Sequence, residues 1–420
     1  MNYARFINQI SARRQPSIIR EITKMLANAP PTMIPLSGGL PNPAMFPFME
    51  ASFKLNDGSQ FSLKGNDMKQ ALQYISTNGL ESLVHQLKLV QETVHNLPGD
   101  FWSNRDLIVT HGSQDGLAKA FEMTMNQGEG IIVEEFIYSG TLAILSPYQP
   151  DLMVIKNDKD GMIPSDLREK LAQAKTIPKL IYLNPTGANP TGYNLTAERR
   201  REIYQICSKY DILIFEDDPY YFLQFGESRI PSFLSMDTDG RVLRFDSFSK
   251  ILSSGIRLGF LSGPRPLMNR IVLHMQSSLI HASSLSQVIT NELFKQWGTQ
   301  GFLDHVHKVE QFYRQRRDCM SQAADKHLAG LCEWSIPEGG MFLWIKVHGV
   351  EDTWDMILEH AFKKEVSLLP GKPFMAEPNK PCSYLRAAFS LASEKDIDLG
   401  FQRLAEVIRE EHERQSIKKK

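Results

Sequence analysis

The chain has 420 residues, of which 42% are hydrophobic and 23% are charged. These fractions are typical of a folded globular protein, and they argue against a disordered, collagen-like or membrane-spanning chain. The 47 basic and 48 acidic residues give a net charge of −1, so no overall field attracts nucleic acid or an anionic membrane. We therefore expect the partner to be a small molecule that is held in a local site.

The first predicted element is an amphipathic helix at the N-terminus. Four apolar side chains fall on one face of this helix: Tyr3, Phe6, Ile7 and Ile10. Arginines accompany them, and the first acidic residue is Glu21. Such a start is typical of a mitochondrial transit peptide, and it suits an arm that packs on the protein equally well. The sequence therefore predicts the mitochondrial matrix, with the cytoplasm as the alternative location.

From about residue 105 the chain alternates short apolar runs with helical stretches. The predicted strands lie at 107–109, 131–133, 180–183, 212–215, 242–245 and 258–261. Runs that are apolar on both faces and separated by helices indicate a mostly parallel sheet with helices on both faces. We therefore expect an α/β protein with a large domain of this kind.

The pattern changes after a long helix that is predicted from Phe302 towards His327. Strands at 341–347, 366–369 and 384–390 have longer connections, and a closing helix is predicted at 394–413. This pattern indicates a smaller α+β domain. We therefore divide the chain into an arm (1–45) that packs with the small domain, a large domain (46–304) and the small domain (305–420).

The four cysteines lie far apart in the sequence and form no C-x-x-C pair. They are Cys207, Cys319, Cys332 and Cys382. A zinc ribbon or a thioredoxin-like site is therefore not expected, and we predict no metal site. We expect these thiols to be packing residues in a reducing compartment.

Polar residues follow the predicted strands of the larger domain, where open α/β sheets bind their ligands. They occupy the stretches 111–114, 138–140, 184–192, 217–220 and 246–250. A polar group at each of these strand ends is more than chance would place there. We therefore expect a ligand site at this edge of the sheet.

The most informative of these groups is Ser247-Phe248-Ser249-Lys250, which Arg257 follows. The amine of Lys250 can form a Schiff base with an aldehyde cofactor. The two serine hydroxyls and the guanidinium of Arg257 can bind phosphate oxygens. Gly112-Ser113-Gln114 opens a helix directly after a strand, which makes a further phosphate cradle or an ordinary helix cap. Alone, the lysine motif is also compatible with a solvated lysine in a serine-rich turn.

Three further residues suit a planar ring with a protonated nitrogen. Asp217 ends an apolar strand, where a carboxylate needs a partner such as a pyridine nitrogen. Tyr138 offers an aromatic face for stacking. The amide of Asn189 can donate to a phenolate oxygen. The Asn-Pro-Thr-Gly string occurs at Asn184 and again at Asn189, and either copy alone is compatible with a simple turn.

Together these motifs resemble the fold-type-I pyridoxal-phosphate-dependent aminotransferases. The Ser-x-Ser-Lys group with its later Gly-x-Arg, the Asn-Pro-Thr-Gly and the Asp-x-x-Tyr occur in that family's order and at similar spacing, which selects Asn189 over Asn184. Four further stretches, 38–43, 217–225, 341–344 and 385–390, resemble the kynurenine/2-aminoadipate subgroup. This similarity extends over nearly the whole chain.

The resemblance implies pyridoxal 5′-phosphate as the cofactor and a role for each matching residue. Lys250 would bind its aldehyde and then move the reacting proton. Asp217 would keep the ring nitrogen protonated, Tyr138 would stack on the ring, and Asn189 and Tyr220 would bind its phenolate oxygen. The residues that would hold the phosphate are Ser113, Gln114, Ser247, Ser249 and Arg257.

The resemblance also implies how the substrate is held. Arg386 would bind the α-carboxylate, a bidentate task that lysine performs poorly. Tyr74 would reach the cofactor and substrate from the other subunit, which implies a homodimer. Arg20 would meet the distal part of the substrate. The remaining residues that would line the substrate pocket are Gly39, Leu40, Tyr138 and Asn189.

The implied activity is transfer of the amino group of 2-aminoadipate or kynurenine to 2-oxoglutarate by a ping-pong route. A cysteine-conjugate β-lyase and an aromatic or branched-chain aminotransferase are alternatives within the same chemistry. A transcription regulator on the same fold would show a helix-turn-helix pattern or a basic excess before the large domain, and neither is present. A catalytically inactive binding protein would lack Lys250 or Asp217, and both are present.

Overall fold

The computed structural model describes residues 1–27, 30, 32–34, 36–37 and 39–418. Gly38, which opens the predicted 38–43 motif, lies outside the described residues. The chain divides into two compact units. The first unit comprises Met1–Gln127, Leu213–Pro219 and Ser232–His305, and the second comprises Gly128–Ile212, Tyr220–Pro231 and Val306–Lys420. The sequence-based division at residues 45 and 305 stays a prediction.

The strands, numbered in chain order, are β1 (Glu50–Lys54), β2 (Gln60–Lys64), β3 (Arg105–Thr110), β4 (Gly130–Glu134), β5 (Asp151–Ile155), β6 (Asn157–Asp158), β7 (Gly161–Met162), β8 (Leu180–Leu183), β9 (Leu213–Asp217), β10 (Val242–Ser247), β11 (Gly259–Pro264), β12 (Cys332–Trp334), β13 (Phe342–Val347), β14 (Leu369–Pro370) and β15 (Tyr384–Ala388).

The α-helices are α1 (Gln9–Ala12), α2 (Ile18–Ala27), α3 (Asn66–Leu72), α4 (Glu81–His95), α5 (Ser113–Thr124), α6 (Ser139–Leu145), α7 (Pro164–Gln173), α8 (Ala197–Tyr210), α9 (Arg265–Ser278), α10 (Ser284–Leu328) and α11 (Glu394–Lys418). Helix α10 is interrupted at Gly298, where φ is 60°. Short 3₁₀ turns include Tyr3–Phe6, Leu234–Met236 and Ser254–Ile256, and Met356–Ala361 is π-helical. Within the described ranges, each helix is too short or too polar to cross a membrane.

The strands of the first unit lie side by side in the order β3-β11-β10-β9. β9 and β10 run parallel, whereas β11 runs antiparallel to both β10 and β3. Every residue of β9, β10 and β11 is buried, and helices α5 and α9 pack against this group of strands. Burial of both faces explains why the strands form continuous apolar runs in the sequence.

The second unit contains the parallel strands β8, β4 and β5, in that order. It also contains an antiparallel sheet in the order β12-β13-β15-β14. Leu343, Ile345 and Leu385 of this sheet share a core with Leu404 and Ile408 of α11. The predicted α/β fold, with parallel strands and a smaller α+β part, is therefore confirmed.

The N-terminal segment 3–17 packs on helices α5 and α9. Phe6 is fully buried, and Nδ2 of Asn8 donates to the carbonyl oxygens of Glu122 (2.6 Å) and Met125 (2.9 Å). The guanidinium of Arg14 forms an ion pair with Glu122. Both helices belong to the predicted large domain. The expectation that the whole arm (1–45) packs with the small domain stays a prediction.

Candidate active site

In the first unit, Gly112 connects β3 to helix α5. Its φ of 81° is a conformation that side-chain-bearing residues rarely adopt. A Cβ atom at this position would lie 2.6 Å from Nη2 of Arg257, so the absence of a side chain lets the guanidinium approach. Ser113 and Gln114, both half-buried, form the first turn of α5, whose backbone N–H groups favour an anion.

Arg257 lies between the 254–256 turn and β11. Its Nη1 is 3.4 Å from Oγ of Ser249 and 3.3 Å from the carbonyl oxygen of Ser254. Its Nη2 is 3.5 Å from the carbonyl oxygen of His111. These acceptors are all neutral oxygens, so they leave the positive charge of Arg257 to attract an anion.

The start of α5 and the end of β10 meet at Gly259. A Cβ atom there would lie 2.8 Å from the backbone nitrogen of Ser113 and 2.5 Å from the carbonyl oxygen of Asp246. Oγ of Ser247 accepts a hydrogen bond from the backbone N–H of Ser249 at 3.2 Å. The structure therefore brings together the serines, helix start and arginine that the sequence predicts as a phosphate site.

Two further predicted residues belong to this first group. Lys250 is half-buried in the turn that follows β10. Asp217 is the last residue of β9, is only 3% exposed and pairs in register with Phe245 of β10. A carboxylate at such depth is stable only with a polar or cationic partner. A protonated ring nitrogen is chemically suited to that role.

In the second unit, the loop after β8 holds both Asn-Pro-Thr-Gly strings. Oδ1 of Asn184 accepts a hydrogen bond from the backbone N–H of Asn189 at 2.7 Å. Both side chains are buried, and the Asn189–Pro190 peptide bond is cis. The first string therefore supports the backbone of the second.

Arg386 of β15 contacts Asn189 directly. Its Nη1 donates to Oδ1 of Asn189 at 2.6 Å, and its guanidinium carbon lies 4.0 Å from the ring centroid of Phe342 and 4.8 Å from that of Phe374. Burial lowers the pKa of Arg386. Because these contacts are with neutral groups, a carboxylate is the ligand that best complements this partly buried cation.

Two tyrosines, Tyr220 and Tyr138, lie close enough to Arg386 that each tends to raise its pKa. Tyr220 is buried and packs edge-on against Phe342, with the ring centroids 6.0 Å apart. Tyr138 precedes α6, and its ring leaves space only for a glycine at position 140. The second unit therefore brings together Asn189, Arg386 and the two tyrosines.

The remaining predicted residues join neither group through the contacts described. Tyr74 is 48% exposed and packs edge-on against His281, with ring centroids 5.9 Å apart. Leu40 is 50% exposed, and Gly39 has open space around it among the described residues. Arg20 lies in helix α2. The predicted roles of Tyr74 in the site of a second subunit, and of Gly39, Leu40 and Arg20 in the substrate pocket, stay predictions.

Sequence reasoning listed Asp218 and Asp246 among the polar residues at the strand ends but missed the buried arginine that binds both of them. Arg244 bonds to Asp246, Glu216 and Asp218 in the core of the first unit. Charged residues that alternate at the ends of two apolar strands were the available signal. The aromatic rings beside Arg386 were also missed, because Phe374 is distant from it in sequence.

The chain matches known aminotransferases over almost its whole length. The family model "Aminotransferase class I and II" matches residues 48–404. A mitochondrial kynurenine/alpha-aminoadipate aminotransferase of Bos taurus is 49% identical, and the match covers 98% of this chain and 100% of the relative.

Solved structures agree with this match. Aminotransferase Aro8 from Candida albicans superposes with a TM-score of 0.89 at 28% identity and covers 98% of this chain and 99% of its own. A kynurenine aminotransferase from Pyrococcus horikoshii, solved in complex with PMP, has a TM-score of 0.78 at 29% identity and covers 98% of both chains. The chain therefore belongs to the class I and II aminotransferases, enzymes whose cofactor is pyridoxal 5′-phosphate.

Proposed function

We propose that the chain moves the amino group of 2-aminoadipate or kynurenine, and of other amino acids, to 2-oxoglutarate by a ping-pong route. The observation that carries this proposal is the hydrogen bond of 2.6 Å between Arg386 and Asn189. It joins a carboxylate-binding cation to the amide that the family resemblance assigns to the cofactor ring. The 49% identity to a relative named for these two donors supports the substrate class.

The residues of the first unit fit the phosphate of the cofactor. Gly112 keeps the start of α5 open to Arg257, since a Cβ atom would lie 2.6 Å from its guanidinium. Backbone N–H groups, hydroxyls and a guanidinium are the donors that phosphate prefers. The phosphate-binding residues we propose are Ser113, Gln114, Ser247, Ser249 and Arg257.

When bound, pyridoxal 5′-phosphate supplies an aldehyde for the amino group and a ring that withdraws electrons from the substrate. Asp217 would hold the proton of the ring nitrogen, and Tyr138 would pack against the ring. Asn189 and Tyr220 would donate hydrogen bonds to the ring oxygen. Lys250 would bind the aldehyde and would take and hold the proton of the substrate Cα. Arg386 would hold the α-carboxylate and so orient the substrate.

Aromatic side chains around Arg386 favour a donor with an aromatic group. Phe342 and Phe374 contact its guanidinium, and Trp344 stacks on Tyr384 with ring centroids 5.2 Å apart. Kynurenine has such a group. The same rings make an aromatic amino acid aminotransferase the second candidate function.

A homodimer with shared sites is part of the proposal. Exposed large apolar side chains are concentrated between residues 18 and 49: Ile18, Ile19, Met25, Met45, Phe48 and Met49. A second copy would remove this apolar surface from water. We propose that Tyr74 acts from the other subunit and that Arg20, Gly39 and Leu40 complete the substrate pocket.

We propose the mitochondrial matrix as the location. The support is the name of the Bos taurus relative, which includes the word mitochondrial, and the arginine-bearing start of the chain. Imaging of the full-length tagged protein beside a matrix marker tests this location. A diffuse cytoplasmic signal would contradict it.

An absorbance experiment tests the reaction. Purified protein with pyridoxal 5′-phosphate should show the visible band of the lysine-bound cofactor. Addition of 2-aminoadipate or kynurenine should convert this band to the near-ultraviolet band of the amino form, and 2-oxoglutarate should restore it. The Lys250→Ala variant should fail to complete the cycle. A visible band that neither donor changes would contradict the proposed substrates, and no band at all would contradict the roles of Lys250 and Asp217.

A further inference from the structure

A completely buried arginine, Arg244, lies on β10 beside the end of β9 that carries Asp217 of the predicted cofactor site. Arg244 of β10 donates from Nη2 to Oδ1 of Asp246 (2.9 Å) and from Nε to Oδ2 of the same residue (3.0 Å). Its Nη1 lies 2.9 Å from Oδ2 of Asp218 and 3.1 Å from Oε1 of Glu216. None of these four residues is more than 3% exposed.

Strand register separates these charges from the site residues. Arg244 pairs with Glu216, and the next pair is Phe245 with Asp217. Successive side chains of a strand point to opposite faces. The side chain of Arg244 therefore lies on the face opposite to that of Asp217, while two of its partner carboxylates, Glu216 and Asp218, come directly before and after Asp217 in the chain.

The arginine cluster also reaches a third segment. Glu216 accepts hydrogen bonds from the backbone N–H groups of Phe233 (2.7 Å) and Leu234 (3.1 Å) at the start of a 3₁₀ turn. At its other end, Asp246 immediately precedes Ser247 and the segment that carries Lys250. One guanidinium therefore links the end of β9, the end of β10 and this turn.

The positive charge of Arg244 stabilises the three buried carboxylates around it. Burial alone would lower the pKa of Arg244, but the attraction of Asp246, Glu216 and Asp218 raises it well above its usual value. The guanidinium therefore stays charged. Without it, three buried carboxylates would lose their common partner and repel one another, which would move the strand ends that hold them.

We propose that Arg244 is a positioning residue for the cofactor. From the opposite face of the strands, it fixes the directions in which Asp217 and the Ser247–Lys250 segment leave β9 and β10. The inference rests on the proposed function, because that function assigns the ring nitrogen to Asp217 and the aldehyde to Lys250.

Two variants and one control test the inference. Arg244→Lys keeps the charge but loses the fork that holds Asp246 by two bonds. Asp218→Asn removes one carboxylate and leaves the Asp246 contact. The control is Arg105→Lys, which breaks another buried pair of the same unit: Nη2 of Arg105 lies 3.0 Å from Oδ2 of Asp237.

The readouts are the dissociation constant of pyridoxal 5′-phosphate and the visible circular dichroism of the cofactor at saturation, well below the melting temperature. We expect Arg244→Lys to weaken cofactor binding by about tenfold and to change the dichroism per bound cofactor. Asp218→Asn should also weaken cofactor binding and change the dichroism in the same direction, but by a smaller amount than Arg244→Lys. Arg105→Lys should lower the melting temperature while both readouts stay within about twofold of wild type.

Each outcome decides the question. Wild-type binding and dichroism in both test variants, or equal changes in the Arg105 control, would overturn the inference. If Arg244→Lys does not fold, the comparison of cofactor binding and dichroism between Asp218→Asn and the Arg105→Lys control tests the inference instead. A wild-type protein that binds no cofactor would instead contradict the proposed function.

Discussion

At the scale of single residues, the carboxyl group of Glu134 sets a pH dependence of stability. Glu134 ends β4 and is buried, and the hydroxyl of Tyr193 donates a hydrogen bond to its Oε2. Burial raises the pKa of Glu134 to about 7, although Tyr193 and Arg199 oppose the shift. In the unfolded chain the group has its ordinary pKa of 4.5. Between these values the folded protein binds a proton that the unfolded chain does not.

Stability should therefore fall as the pH rises from about 4.5 to about 7, and it should change little above that because both states are then ionised. The glutamine of the Glu134→Gln variant cannot ionise, so this variant should not lose stability as the pH rises through this range. Relative to wild type, we expect the free energy of unfolding of the variant to improve by about 3 kcal/mol between pH 5 and pH 8. Urea unfolding at both pH values measures the difference.

The matched control is Glu129→Gln, which changes a partly exposed carboxylate that pairs with Lys179 at 2.7 Å in the same unit. This control should change the unfolding free energy by less than about 1 kcal/mol at either pH. A Glu134→Gln variant with the same pH profile as wild type would contradict the assigned pKa.

Residues within one contiguous motif could be predicted from the sequence, because their neighbours in the chain are also their neighbours in space. Ser249, Lys250 and Arg257 belong to this class. Arg244 could not, because its partner Glu216 lies on another strand and Asp218 directly follows that strand, and the pairing register is not readable from composition. The aromatic rings over Arg386 were hidden for the same reason.

At the scale of elements, the Asn189 loop depends on a close backbone contact. Gly187 has a φ of 51°, and a Cβ atom there would lie 2.2 Å from the backbone nitrogen of Gly340. The loop can therefore approach the start of β13 only with glycine at this position. Ordinary side chains would push the loop, and Asn189 with it, away from Arg386.

Gly187→Ala should therefore destabilise the protein by more than about 2 kcal/mol and weaken cofactor binding. The control is Gly330→Ala, where φ is also positive (78°) but the surrounding space is open among the described residues. It should show only the backbone strain of about 1 kcal/mol and bind the cofactor normally. Thermal melts and cofactor titrations compare the two, and equal effects would contradict the role of the contact.

The N-terminal segment is an element whose partner the sequence did not reveal. An amphipathic pattern predicts an apolar face but not the surface that this face covers. Only a 3₁₀ turn and the short helix α1 form there, and they pack on α5 and α9.

Phe6→Ala should lower the unfolding free energy by about 3 kcal/mol, because it empties a fully buried position. Ile10→Ala is the control, since Ile10 is 55% exposed and its loss should cost less than about 0.5 kcal/mol. Chemical unfolding of the two holoenzymes measures both. Equal stability of the Phe6 variant and wild type would contradict a contribution of Phe6 to the stability of the fold.

At the scale of the whole molecule, the proposed homodimer with shared sites predicts that two inactive variants can rescue each other. In a mixed dimer of Lys250→Ala and Tyr74→Ala chains, one site has a native lysine and receives a native Tyr74 from the other chain. Random reassembly after gentle unfolding should restore about a quarter of the wild-type sites. Activity of the mixture, against each variant refolded alone, measures the rescue. Activity no higher than the average of the two variants would place Tyr74 in its own subunit's site or outside the site.

The class of fold was predictable because apolar runs and helices alternate over most of the chain. The sequence did not predict which strands belong to which compact unit. Strands β4, β5 and β8 belong to the same unit as the C-terminal sheet, although their sequence pattern matches that of β9 and β10. The local pattern of apolar residues indicates which residues are buried and whether a segment is a helix or a strand. The compact unit to which a segment belongs depends instead on contacts between segments that are distant in the sequence.

The hydrogen bond between Oδ1 of Asn184 and the backbone N–H of Asn189 gives the two identical four-letter strings different surroundings. The side chain of the first string bonds to the backbone of the loop, whereas the side chain of the second accepts a hydrogen bond from Arg386. Mutagenesis of Asn184 would therefore test how the loop is supported, and only mutagenesis of Asn189 would test the proposed contact with the cofactor.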